Sequence, residues 1–168
     1  MRLAAVLVAA LAAIAPAPGC GPSAKEQLQG YVTGSKPEVE RVNTAYADIQ
    51  SAFSSLSTMT DETWAAAAAT LDRAAAAVQL AADNFEQLKP PDAMQSAHAQ
   101  LIAGLRDLVK AFGVISTALK SGSFGPDAMS DPTLTKLLSD GNAKRETWKE
   151  ALIAQCRDQG VSIPWTWQ

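Results

Sequence analysis

The chain contains one histidine, His98, and two cysteines, Cys20 and Cys156. A nucleophile site of the Ser–His–acid or Cys–His kind must use His98 or not exist. His98 falls on the apolar stripe of a helical segment, with Met94 one turn before it. Antiparallel packing of that segment predicts His98 at the end of the fold that also holds Phe85, Leu152 and Cys156. A neutral imidazole and a thiolate could there take a soft metal. Ligation needs three or four donors, however, and only His98, Cys156 and Met94 offer themselves. His98 is therefore read as a structural histidine bonded to a carbonyl or water, and Cys156 as a small buried hydrophobe. No metal and no cofactor is expected.

The remaining chemistry is sparse. The sequence has no CxxC, no CxxCH, no HExxH, no Gly-rich phosphate loop and no Glu-x-x-His pair of the di-metal bundles. Carboxylate pairs such as Asp61/Glu62 and Glu146/Glu150 read as solvated helix faces, since paired catalytic acids must share a cleft. The expectation is a protein that is not an enzyme. The end of the chain is different in kind. Val161, Ile163, Trp165 and Trp167 alternate, as in an extended segment with one apolar side. Trp165 and Trp167 can fold back into a groove between helices, anchor a partner or sit at a bilayer interface.

The other end carries an address. Arg2 precedes a 13-residue apolar run, residues 3–15, and then Pro16-Ala17-Pro18-Gly19-Cys20. A spanning helix needs about 20 residues, so the run is too short to be a permanent anchor. The stretch resembles the signal of bacterial lipoprotein precursors, with Gly19-Cys20 at the cleavage and acylation point. Ala17 and Pro18 stand where that class usually has Leu and Ala or Ser. The resemblance covers residues 1–20 and implies a signal peptide over 1–19, a palmitate-type lipid on Cys20, and a membrane anchor facing the periplasm or exterior. Ordinary secretion, with cleavage after Ala17, is the rival. If Cys20 is not acylated, it can pair with Cys156 in one disulfide, and the two readings exclude each other.

Without the first twenty residues the chain keeps 13 basic and 17 acidic groups, a net charge of −4. No basic stretch is available to neutralise phosphates, so nucleic acid is excluded as a partner. Periodicity supplies the frame. Residues 20–34 read as a lipidated cysteine and flexible tether, with at most a short helical piece at Lys25–Tyr31. A first helix is expected to start at Ser35, with Glu38 completing a capping box and with Val39, Val42, Tyr46, Ile49 and Phe53 on its seam. A second runs from Thr60 to Leu88 with Trp64, Leu71, Val78 and Phe85 at heptad spacing. A third follows Pro90-Pro91 with Met94, His98, Leu101, Leu105, Leu108 and Phe112. A fourth begins at Asp131 and carries Leu134, Leu138, Trp148, Leu152 and Cys156, with a kink expected at residues 140–142.

The predicted fold is all-α: an antiparallel up-down-up-down four-helix bundle over residues 35–160, followed by an aromatic tail over 161–168. Four linked amphipathic helices can cover one another, so a monomer is expected. The functional expectation is a lipid-anchored, non-enzymatic interaction or accessory module serving an envelope protein or polymer. The alternative is a small-molecule or metal-binding bundle with a pocket between helices near His98, Cys156, Trp148 and Tyr46.

Overall fold

The computed structural model describes residues 21–54, 60–125, 127 and 130–167. Cys20, the apolar run before it and Gln168 lie outside the described residues. Four long helices make up the fold: α1 (Ala24–Ser54), α2 (Asp61–Gln87), α3 (Gln95–Lys120) and α4 (Pro132–Gln159). A single 3-10 turn, Asp92–Met94, leads into α3. Successive helices pack side by side in an antiparallel up-down-up-down bundle, while α1 and α4 meet only sparingly. No described helix is long and apolar enough to cross a membrane.

The predicted seams form the core. Val39, Val42, Leu71, Val78, Phe85, Leu101, Leu105, Leu108, Leu134 and Leu152 are all buried. Three boundaries follow the sequence chemistry directly. Thr60 caps α2, exchanging bonds with Thr63. Asp131 caps α4 through the amides of Thr133 and Leu134. Gly160 ends α4 in the left-handed conformation at φ 61°, where a residue without Cβ is favoured.

Two expectations are corrected. The tether over 20–34 and the helix start at Ser35 give way to a helix that begins at Ala24. The capping box exists, but at Ser23 and Glu26. The Glu26 carboxylate accepts from the Ser23 amide at 2.7 Å, and the Ser23 hydroxyl accepts from the Glu26 amide at 3.2 Å. Ser35 lies mid-helix, fully buried, donating to the Tyr31 carbonyl at 2.8 Å. Pro37 sits inside α1, where a proline costs about 3 kcal/mol. Leu28, Tyr31 and Val32, all buried, outweigh it, since each large apolar side chain taken from water contributes about 1.5–3 kcal/mol.

The second correction concerns residues 140–142. α4 passes through them without a break. Gly141 is buried there because α3 crosses it at Gly104. A Cβ on Gly104 would lie 2.8 Å from the Gly141 carbonyl oxygen, and one on Gly141 would lie 2.7 Å from Leu108 Cγ. The two glycines let the helix axes approach closely, and the backbone stays helical because both neighbours hold it there.

Candidate functional site

The core polar chemistry centres on Trp148, a fully buried residue of α4. Its indole N–H donates to the Tyr31 hydroxyl at 2.8 Å. That hydroxyl lies 2.8 Å from His98 Nδ1. Because the Tyr31 oxygen is already an acceptor, its hydrogen goes to Nδ1. His98 Nδ1 is then the bare nitrogen and Nε2 carries the proton, and the imidazole meets the Phe85 ring edge-on at 6.2 Å. The bonds Trp148 → Tyr31 → His98 tie α4, α1 and α3 together, and the edge-on contact of His98 with Phe85 adds α2. Burial pushes the His98 pKa below its ordinary value, against a smaller opposing pull from the Phe85 carbonyl. Burial also pushes Tyr31 up to about 12. Both groups are thus held neutral, as a core hydrogen-bond chain requires.

The C-terminal segment completes this hub. Val161 and Trp167 are buried and Ile163 and Trp165 half-buried, while Ser162, Pro164 and Thr166 are exposed. The alternation expected from the sequence is therefore realised, and the segment fills the seam that α1 and α4 leave open. Trp165 donates its indole N–H to the Val32 carbonyl at 3.2 Å, and the Thr166 carbonyl accepts from Asn43 at 2.8 Å. The Trp165 ring is parallel to Trp148 at 6.0 Å, and Trp167 tilts against Trp148 at 5.1 Å. The segment leaves α4 beside Lys25 but runs away from that end. Trp167 reaches Arg145, back along α4.

Arg145 belongs to the same assembly. Its guanidinium is buried between the rings of Tyr46 and Trp167, 4.6 and 5.1 Å from their centroids. It also donates to Asn142 at 3.0 Å. Cation–π contacts are strengthened by such desolvation. In the sequence Arg145 falls on the apolar stripe of α4, one turn before Trp148. The signal that could have found it was a cation on an apolar seam, at helical spacing from Trp148, in a chain with aromatic residues to receive it.

Outside the hub, α4 and the C-terminal segment enclose an open cleft of about 310 Å³. Trp148, Leu152, Ile153, Ile163, Trp165 and Trp167 form its walls. Lys149 is its single ionisable lining residue, and Thr166 its hydroxyl. The indole N–H of Trp167 is buried without a hydrogen-bond partner.

Compared with known proteins, the chain matches no family model, no curated protein and no solved structure.

The sequence-selected residues therefore divide. Trp165 and Trp167 converge with Trp148 in one assembly. His98 is committed to Tyr31 and Phe85. Cys156 is buried and free, its thiol pKa raised by burial, which suppresses the reactive thiolate. Among the described residues no group of three or more His, Cys, Asp or Glu side chains is arranged to hold a metal. Of the four residues about which a pocket was anticipated, Trp148 lines this cleft, and His98, Cys156 and Tyr46 do not.

Proposed function

We propose that this protein is a membrane-tethered helical module of the bacterial cell envelope that acts by binding and performs no catalysis. The observation that carries this reading is the start of α1. The Ser23/Glu26 capping box begins the rigid bundle at Ala24, four residues after Cys20. With a lipid on Cys20, four extended residues span at most about 14 Å. The end of the bundle with the α1 start and the α4 terminus would then be held against the bilayer. α1 has 31 residues and is about 46 Å long at 1.5 Å per residue. The reach of the module is thus set by the bundle and not by a loose linker. A partner protein or polymer must come within that layer. The reading as a binding module is supported by the burial of the one histidine and the commitment of its Nδ1 to the Tyr31 hydroxyl.

Cys20→Ser tests the tether. Two acyl chains hold a protein on a membrane stably, and one only marginally. The variant should move from the membrane to the soluble fraction, and intact mass of the native protein should show acylated Cys20 as its first residue. Retention of the variant on membranes, or a mature protein that starts at Pro18, would refute the proposal.

A further inference from the structure

We propose that the cleft between α4 and the C-terminal segment binds a single-chain anionic amphiphile of the fatty-acid class. Its walls are two aliphatic residues of α4, one of the C-terminal segment and three tryptophans, and its volume of about 310 Å³ lies at the lower end of small-molecule sites. That suits one alkyl chain better than a bulky ring system. Ile153, 40% exposed on the rim, is one of the few large apolar side chains the bundle leaves in water, as an unfilled binding face would.

Charge selects the head group. Three tryptophan rings alone could suggest a quaternary ammonium ligand, since aromatic cages take such cations. Lys149 is the cleft's one ionisable lining residue, so a cation entering here would meet a like charge. A carboxylate would meet an opposite one. Lys149 already faces Glu146 at 3.1 Å, but both side chains are solvent-exposed, and such pairs are weak. A ligand carboxylate at the rim can therefore share Lys149.

The test uses the full-length chain in nanodiscs of zwitterionic lipid, titrated with a brominated dodecanoate that quenches tryptophan fluorescence. Saturable quenching is expected. Ile153→Glu, which places a like charge on the rim at an exposed position, should abolish the saturable component. Lys149→Ala should weaken it about two- to fivefold, the range of an exposed ion pair. Dodecanol, with the same chain and no charge, should compete more weakly than dodecanoate. Circular dichroism establishes that each variant is folded, and Lys149→Ala decides the matter if Ile153→Glu is not. Quenching that rises without saturation, equally in wild type and variants, is partition into the bilayer and would overturn the site. Equal competition by dodecanol would overturn the anionic class. Saturable binding to Cys20→Ser alone, absent from the acylated protein, would assign the cleft to the chain's own lipid and overturn a free ligand.

Discussion

Adding one methyl group at four glycines should move stability in opposite directions, according to what each methyl meets. In a helix interior Gly→Ala gains about 1 kcal/mol from backbone propensity. At Gly30 and Gly113 a Cβ would meet nothing within 4 Å, so that gain stands alone. At Gly104 the new atom would lie 2.8 Å from the Gly141 carbonyl and 2.9 Å from Lys144 Cβ. At Gly141 it would lie 2.7 Å from Leu108 Cγ and 3.0 Å from the Gly104 carbonyl. Two backbones cannot swing aside as a side-chain tip can, so overpacking should reach the upper part of its usual range of about 1–3 kcal/mol. After the propensity gain is subtracted, Gly104→Ala and Gly141→Ala should each be destabilised by about 2 kcal/mol. At about 4 °C per kcal/mol for a domain of this size, the melting temperature should fall by roughly 8 °C. Gly30→Ala and Gly113→Ala should raise it by about 4 °C or less. Thermal melts and urea unfolding of the four variants provide the measurement. If Gly104→Ala and Gly141→Ala were as stabilising as the other two, α3 and α4 would not cross at these residues, and the account of the unbroken α4 would be wrong.

Removal of residues 161–168 should lower stability and expose Trp148 to aqueous quenchers. Trp167→Ala alone should cost about 3–5 kcal/mol, and an unchanged melt in either variant would show that the segment is not part of the core. Because burial lowers the His98 pKa below 6.5, the folded state binds fewer protons than the unfolded state in the window below that value. Stability should be full above about pH 6.5 and decline as pH falls below it. His98→Gln should flatten that limb. The carboxylates held low by their partners, Asp72 mainly by Lys120 and Asp107 by Lys144 against its own burial, act only below about pH 4. Cys156 should react slowly with a thiol reagent in the native protein and fast after denaturation; a rapid native reaction would contradict its burial.

The frame of the bundle was readable because seam spacing depends on the same periodicity that packs it. Leu101, Leu105, Leu108 and Phe112 alternate by three and four, and all are buried. The first eleven residues of α1, 24–34, were misread for a local reason. Gly30, Gly34 and Pro37 are weak helix formers, and local weight placed the start after them. Leu28, Tyr31 and Val32 continue the seam that Val39 and Val42 begin, and a Ser-x-x-Glu pattern stands at Ser23 as plainly as at Ser35. Tertiary burial settles which of two equal local signals becomes the helix start, and local propensity cannot see it. Gly141 was misread in the same way, since its effect depends on Gly104 of the helix across from it.

The hub around Trp148 was only half visible, and its two halves differ in kind. Trp165 and Trp167 announced themselves by alternation, a property of one segment. The bond from Trp148 to Tyr31 joins residues 117 positions apart, and the bond from Tyr31 to His98 spans 67, so neither leaves a trace in any local pattern. Tyr31 in particular lay in a stretch read as tether. Once α1 is extended back to Ala24, however, the consequence follows from the sequence alone: Tyr31 joins the seam, and a buried hydroxyl on a seam must find an acceptor. The chain's one histidine, near the start of an antiparallel neighbour, supplies it. His98 is thereby spent inside the core on the Tyr31 hydroxyl, and the chemistry proposed for a ligand lies outside it, in the cleft that Lys149 and the half-buried Trp165 line.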